Sequence, residues 1–324
     1  FQMATDRLEG LFPADHIFFV TVAEQATELQ KQSPSIPAEN YILEPMPRGT
    51  ASVVGLAAVV LQKRDPEAVM ALLTADHYIE NVAGFQQILT SAEALAQKGF
   101  LVTLGIQPTF AATGYGYVQR GEPLGQFGRH EAYQVLKFRE KPTEEVARAF
   151  IETGDHFWNS GMFIWRVDRI QEEFCRQMQD LCQTLGQIAS SWGTAWQTET
   201  LKKLWPQIKP QTIDYGIMEH AEHVAMLPGM DLGWSDVGSW DSLFDVLPGD
   251  DNGNIHISAM HLGIDTHGTL ICSEDPNRMV VTIGVKNLII VDALDALLVC
   301  PRDDAQKVRE LVKLLDQNGY QLYL

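Results

Sequence analysis

The sequence predicts an α/β protein: a Rossmann-like domain with a mixed, mostly parallel sheet, followed by a small C-terminal β-helix-like domain. Three observations predict it. Helix-like and strand-like segments alternate over the first two thirds of the chain, which is the pattern of a sheet covered by helices on both faces. The run Asp250-Asp251-Asn252-Gly253-Asn254 is a turn-rich break. Beyond it come only short β-like runs and one last helix.

Taken in order, Phe1 to Leu11 has helical periodicity, and His16 to Val22 reads as a strand. Thr50 to Lys63, rich in Ala, Val and Leu, reads as a helix. Ala68 to Leu73 reads as a second strand running into Thr74-Ala75-Asp76-His77. A helix is expected over Asn81 to Lys98 and a third strand over Phe100 to Gly105. Val135 to Phe138 reads as a buried strand that stops at Glu140-Lys141-Pro142. A short amphipathic helix follows, and then a polar break at Asn159 between Trp158 and the strand Met162 to Trp165. Asp168 to about Lys209 is helical, with Trp192, Trp196 and Trp205 as packing anchors. After the break, strands are expected at His256–Met260, Thr269–Cys272, Met279–Ile283, Leu288–Asp292 and Ala296–Cys300, and a helix over Asp303 to Asn318. The domains are thus 1–250 and 251–324.

Bulk properties narrow the function. A chain of 324 residues, 45% apolar and 20% charged, can bury a sizeable core. Its net charge of −18 argues against nucleic acid or an anionic membrane as a partner. An anionic ligand must therefore be met by a few local cations and a metal. The four cysteines, Cys175, Cys182, Cys272 and Cys300, have no C-x-x-C spacing and read most simply as reduced thiols of a cytoplasmic protein. No apolar run approaches the ~20 residues of a membrane span, and no signal peptide is visible.

In open α/β sheets ligands sit at the carboxyl ends of strands. Glu140 there can accept from sugar hydroxyls while Lys141 brings a compact positive charge to a phosphate; an ordinary strand-end ion pair is the alternative. Asp76 can hold a divalent cation, or cap the helix beginning near Asn81. Asp236, crowded within Gly233-Trp234-Ser235-Asp236-Val237-Gly238, can be a second metal carboxylate or another helix cap. Thr50 is a natural N-cap, with Arg48 beside it able to meet a phosphate or a base carbonyl; a capped surface loop reads equally well. Gly114 and Gly116, alternating with tyrosines, suit either close passage of a ligand or a β-bulge. No phosphate loop, dinucleotide fingerprint or nucleophile elbow is present. Glu219-His220-Ala221-Glu222-His223 reads as a solvated helix end.

The order of these motifs is more specific than any one of them. Glu-Pro-x-x-Arg-x-Thr-Ala (44–51), Asp76-His77, Thr-Gly-Tyr-Gly-Tyr (113–117), Phe-x-Glu-Lys-Pro (138–142), Trp-Asn-Ser-Gly-Met-Phe (158–163), Ile213-Asp214-Tyr215 and Trp-Ser-Asp-Val-Gly-Ser-Trp (234–240) follow one another. Together they resemble the bacterial mannose-1-phosphate guanylyltransferases over nearly the whole chain. The resemblance implies a nucleotidyltransferase domain and a short left-handed β-helix. It implies a reaction of GTP with α-D-mannose 1-phosphate, giving GDP-mannose and pyrophosphate with Mg²⁺. Asp76 and Asp236 would be the metal carboxylates, and with Lys141, which meets the sugar phosphate, the catalytic groups. Gly116, Glu140, Asn159 and Asp214 would bind the sugar, and Arg48 and Thr50 would lie on the guanosine side. A homodimer is left open; neither nucleic acid nor membrane is expected as a partner.

One departure matters. The family opens with a strand and a glycine-rich loop carrying an arginine, which cradles the triphosphate; the sequence begins in what should be the following helix. The polypeptide as written is therefore expected to be inactive. A transferase for another sugar 1-phosphate or base, and a non-catalytic sugar-nucleotide sensor, are the alternatives.

Overall fold

The computed structural model describes residues 1–323. The chain forms two compact units, Phe1–Trp234 and the segment from Ser235 onward, each described by itself.

The first unit is built on a six-stranded sheet. Its strands are β3 (Val69–Leu72), β5 (Leu101–Ile106), β6 (Tyr117–Phe127), β7 (His130–Arg139), β8 (His156–Arg166) and β9 (Val224–Pro228), in the order β3-β8-β5-β9-β7-β6. A separate parallel pair joins β1 (Phe19–Thr21) to β2 (Tyr41–Leu43), and β4 (Tyr78–Ile79) is a two-residue strand. The mostly parallel expectation holds for direction: β3, β5, β6 and β9 run one way. Neighbours are another matter, because β8 inserts antiparallel between β3 and β5, and β7 runs antiparallel to β6 and β9, leaving β5–β9 as the parallel neighbours. Hydrophobic periodicity carries burial but not strand direction, so sequence could not show this.

Helices cover both faces. On one lie α3 (Thr50–Arg64), α6 (Val167–Gln177), α7 (Gln179–Ser191) and α8 (Gln197–Leu204), whose apolar side chains join Val54, Leu56, Phe163, Trp165 and Trp205 in one core. On the other, α4 (Val82–Ala96) and α5 (Glu144–Thr153) pack Phe85, Ile88, Leu95 and Ala147 against Leu104, Tyr117 and Ile164. The short α1 (Gln2–Asp6), α2 (Ala23–Gln32) and α9 (Ile213–Gly216) complete the unit.

Local chemistry sets the element ends. Asn81 caps α4, its side-chain oxygen accepting from the Gly84 N–H at 2.9 Å, so Asp76 is not that helix's cap. Gly49, not Thr50, takes the cap position of α3. Its φ of 81° suits glycine, and a Cβ there would lie 2.4 Å from the Gln211 carbonyl oxygen. The polar break expected at Asn159 is a bulge within a single strand: pairing shifts between Thr103–Phe163 and Gly105–Asn159, and Gly161 sits at φ 70°.

Two other expectations are corrected. Trp205 is fully buried, but Trp196 stands 68% exposed, because it falls at the start of α8 where the chain leaves the core. Cys175 and Cys182 form a disulfide, not a pair of reduced thiols; they sit on consecutive helices α6 and α7, and the turn at Met178 brings their Cα atoms to 5.0 Å. Spacing alone does not reveal a pair that depends on a helix break.

The short strand β10 (Trp234–Ser235) falls at the division between the units, and the second has α10 (Leu243–Val246) as its first α-helix. β11 (Ile255–Ile257), β13 (Leu270–Ser273) and β15 (Leu288–Asp292) stack in parallel, with β16 (Leu297–Pro301) antiparallel at the edge. β12 (Met260–Ile264) and β14 (Met279–Ile283) form a second parallel stack. Successive strands that return to stack in register are the coil expected of a short β-helix. The amphipathic α11 (Val308–Gln317) follows. Among the described residues no helix is long and apolar enough to cross a membrane.

Candidate active site

The sheet's central strands bring five of the predicted residues together. β8 presents Asn159, whose backbone N–H donates to the Gly116 carbonyl at 2.8 Å, so Gly116 and Asn159 are adjacent. β7 ends at Arg139, placing Glu140 against Gly116. A Cβ on Gly116 would meet the Glu140 Oε2 at 2.3 Å and the Asn159 Cβ at 3.4 Å. Glycine here is a demand of space, not of φ.

The Asn159 amide is held at three points, with one N–H of its Nδ2 left over. Its Nδ2 donates to the Asp214 carboxylate at 3.0 Å, and its Oδ1 accepts from the Thr103 hydroxyl at 3.1 Å and the Gly161 N–H at 3.2 Å. Thr103 is wholly buried on β5. It was not singled out from sequence, since a threonine in an apolar strand reads as ordinary β-propensity. The result is a rigid rail: Thr103 fixes Asn159, and Asn159 fixes Asp214.

Two acidic groups are thus crowded at one place. Burial first, then the charge of Asp214, push the Glu140 carboxyl above its usual range, with Lys141 opposing. Burial also raises the Asp214 carboxyl, against its hydrogen bonds from the backbone and Asn159. Lys141 Nζ lies 3.5 Å from Glu140 Oε1 and is mostly exposed. The backbone of Lys141 adopts φ 44°, uncommon for a side-chain-bearing residue, while its N–H donates to the Tyr115 carbonyl. Left-handed backbone costs about 1–2 kcal/mol outside glycine, and such strain persists where surrounding contacts over-determine it. The strand-end ion pair expected as an alternative exists, but it is part of this cluster.

A second group lies on the loop after β3. Asp76 is highly exposed, with Oδ1 4.0 Å from His77 Nε2. The loop is pinned from beneath by Arg7, whose buried guanidinium donates to the carbonyls of His77 at 2.8 Å and Thr74 at 2.9 Å. Burial lowers the Arg7 pKa, and Asp76 opposes that shift. The Trp234 Nε1–H donates to His77 Nδ1 at 3.1 Å, an arrangement that places the neutral ring's proton on Nε2, toward Asp76. Gly161 connects the two groups: its Cβ position is 3.8 Å from Thr74 Cγ2 and 4.0 Å from His77 Cε1. Phe110, Tyr115, Trp158 and Trp234 stack edge to face beside them. This aromatic wall escaped sequence analysis, because its members come from separate segments.

Arg48 and Thr50 sit on a loop tied to segment 205–213. Trp205 Nε1–H donates to the Met46 carbonyl at 2.8 Å, Arg48 Nη2 to the Pro206 carbonyl at 2.6 Å, and the Ile213 N–H to the Thr50 hydroxyl at 2.9 Å. Thr50 thereby holds the residue next to Asp214. The buried Glu44 carboxyl has its pKa raised by burial, and its Oε2 has no hydrogen-bond partner among the described residues. Asp236 belongs to the second unit, where its carboxylate accepts from the Gly238 N–H at 3.1 Å in a tight turn. The short helix beyond begins after Ser239, so Asp236 is not its cap. No group of three or more potential metal ligands occurs among the described residues.

The Thr103–Asn159–Asp214 rail, the adjoining Glu140 and Lys141, and the exposed Asp76 on the loop after β3 are thus the polar groups that this α/β domain presents. Residues 6–252 match the nucleotidyl transferase family, and residues 259–315 match the "MannoseP isomerase/GMP-like beta-helix domain"; the chain belongs to the nucleotidyl transferase family. It is 37% identical over 307 residues to a mannose-1-phosphate guanylyltransferase of Klebsiella pneumoniae, covering 94% of this chain and 62% of that protein. A mannose-1-phosphate guanylyltransferase of Escherichia coli strain K12 is 34% identical over 308 residues, covering 92% and 61%. The chain thus spans about three fifths of the length of these curated relatives. A crystal structure described as a mannose-1-phosphate geranyltransferase from Thermus thermophilus superposes with a TM-score of 0.83 at 30% identity, covering 97% of this chain and 88% of that one. A structure described as a mannose-6-phosphate isomerase from Helicobacter pylori shares the fold, at 23% identity and a TM-score of 0.61 over 72% of this chain and 90% of that one.

Proposed function

We propose that this chain belongs to a mannose-1-phosphate guanylyltransferase, an enzyme that joins GTP and α-D-mannose 1-phosphate to give GDP-mannose and pyrophosphate. The observation that carries the reading is the rail in which Thr103 holds Asn159 and Asn159 holds Asp214, with Glu140 packed against a space-limited Gly116. Two carboxylates and an amide at one place suit a polyol: the carboxylates accept from hydroxyls, the remaining amide N–H can donate to one, and their fixed geometry discriminates one hydroxyl configuration from another. Lys141, exposed at the edge of this cluster, meets the phosphate on the sugar's anomeric carbon.

The chemistry asks little more than placement. A phosphate oxygen of the sugar phosphate attacks the α-phosphorus of GTP in line; the bond from that phosphorus to the bridging oxygen breaks, and pyrophosphate leaves with the electron pair. No covalent enzyme intermediate is required, so rate comes from positioning and charge neutralisation. Asp76, an exposed oxygen donor on a braced loop, suits Mg²⁺, which takes one or two carboxylates and completes its shell with phosphates and water. Asp236 is the second carboxylate we assign to it. When bound, Mg²⁺ would neutralise charge on the phosphates. Arg48 and Thr50 we assign to the guanosine side, with Glu44 as a further acceptor on the same loop.

Isothermal titration with mannose 1-phosphate, glucose 1-phosphate and GDP-mannose tests the reading. The mannose compounds should bind at least ~10-fold more tightly than the glucose compound, as a site hydrogen-bonded to one hydroxyl configuration discriminates. Equal affinity for the two sugar phosphates, or binding of neither, would overturn it.

A further inference from the structure

Helices α6 and α7 are one helical run broken at a single residue. Met178 ends the first and opens the second, at φ −129° and ψ 63°, and the disulfide from Cys175 to Cys182 closes a ring around it. Inside the ring the Met178 N–H still donates to the Phe174 carbonyl at 2.8 Å, and the Cys182 N–H to the Met178 carbonyl at 2.9 Å. Each helix is therefore intact up to the break, and the crosslink ties the two across it. Cys175 is exposed, whereas Cys182 is half-buried against the core.

Two side chains of the ring reach the segment that carries Asp214. Met178 sets its thioether in the space that Gly216 leaves open: a Cβ on that glycine would lie 2.7 Å from Met178 Sδ and 3.3 Å from Met178 Cε. Gly216 is the last residue of α9, whose second residue is Asp214. Just beyond, Arg176 Nη2 donates to the His220 carbonyl at 3.0 Å. A helix of four residues has too few internal bonds to hold itself. Its place is set from outside, by the Thr50 hydroxyl at Ile213 and by the ring at Gly216 and His220.

We propose that Cys175–Cys182 is a thiol–disulfide exchange site that controls the placement of Asp214, with a dithiol as its co-reactant. A thiolate of the dithiol attacks the exposed Cys175 sulfur, the Cys175–Cys182 bond breaks, and Cys182 leaves as a thiolate that takes up a proton. The second thiol of the reductant then displaces Cys175, which is also protonated, and the reductant closes its own disulfide. Two electrons and two protons pass to the chain. Non-bonded heavy atoms rest about 3.5–4 Å apart, where the bond held the sulfurs at about 2.05 Å. Reduction therefore unties the break at Met178, and Gly216 loses the fixed surface on which α9 sits. That a looser Asp214 weakens sugar binding rests on the reading of the Thr103–Asn159–Asp214 rail given above; the loosening of α9 does not.

Amide exchange and isothermal titration on the full chain, oxidised with oxidised glutathione or reduced with dithiothreitol, test this. Reduction should speed exchange at residues 213–220 and leave β5 unchanged. It should also raise the mannose 1-phosphate dissociation constant at least ~5-fold, since a misplacement of ~1 Å in a positioning group costs up to ~10²-fold. Reoxidation should restore both, a reversal that decides the matter even if cysteine variants misfold. Cys175→Ser with Cys182→Ser should match the reduced chain and ignore dithiothreitol. Met178→Ala, with the bridge intact, should show fast exchange at 213–220 in both states. A bridge that does not form, exchange at 213–220 indifferent to thiol state, equal sugar-phosphate affinity in the two states, or wild-type exchange in oxidised Met178→Ala would each overturn the proposal. Faster exchange on reduction with no sugar-phosphate binding in either state would uphold the exchange site and overturn the sugar reading instead.

Discussion

Replacing Gly116 by alanine probes the sugar rail with one methyl group. Gly116 lies outside the positive-φ glycines, so alanine can adopt its backbone. The obstacle is spatial: the new Cβ would sit 2.3 Å from Glu140 Oε2, and the carboxylate must retreat by roughly 1 Å to restore ordinary contact. Glu140 can do so by leaving its rotamer, at ~0.5–1.5 kcal/mol. The new methyl cannot shift the other way instead, because Asn159 Cβ lies 3.4 Å from it and the Thr103 and Asp214 contacts hold that side chain in place. Global stability should therefore fall by about 1 kcal/mol. Affinity should suffer more, because a misplacement of ~1 Å in a positioning group costs up to ~10²-fold. Titration with mannose 1-phosphate, beside a thermal melt, separates the two effects: a melt shifted by a few degrees with affinity down at least ~10-fold is expected. Wild-type affinity in Gly116→Ala would refute the reasoning, since Glu140 would then have no sugar contact that depends on its position.

Two other outcomes follow from the same structure. Glu140 has its folded-state pKa raised, chiefly by burial, so the folded chain holds more protons there than the unfolded one, and stability from this group drains away as pH rises from about 4.3 through the folded pKa. Glu140→Gln should therefore melt progressively higher relative to wild type as pH climbs from about 4 to 7, while losing sugar-phosphate binding; a difference in melting temperature that is flat with pH would count against it. Reducing Cys175–Cys182 should cost ~2 kcal/mol by the loop-entropy account of a short crosslink. Thiol titration in denaturant should find two free groups before reduction and four after; four beforehand would show that the bridge is not formed.

How much of this was legible in the residues depends on how locally each feature is encoded. The stop at Glu140-Lys141-Pro142 and the helix from Thr50 could be read because strand ends and apolar periodicity are short-range signals. Asn159 was found as a polar interruption, but its seat inside β8 needed Thr103, more than fifty residues earlier, to satisfy its amide. Thr50 was misplaced by one position because the cap falls where Gln211 approaches too closely for any side chain, a distant contact that no local rule contains. The antiparallel insertion of β8 was invisible, since a buried strand reads the same in either direction. Of the β12–β14 stack only β14 was read from sequence: the strand expected at His256–Met260 overlaps β11 and stops where β12 begins, because the bend between them is not marked by a glycine or proline.

Arg7 also has a consequence for how the first unit comes apart. Its two terminal nitrogens are spent on the carbonyls of Thr74 and His77, and Gln86 of α4 donates in turn to the carbonyls of Arg7 and Glu9. The opening turns of the chain, the Asp76 loop and the first half of α4 therefore share one set of fastenings. They should loosen as a single cooperative segment, so that the freedom of the Asp76 carboxylate is governed by residues some seventy positions away.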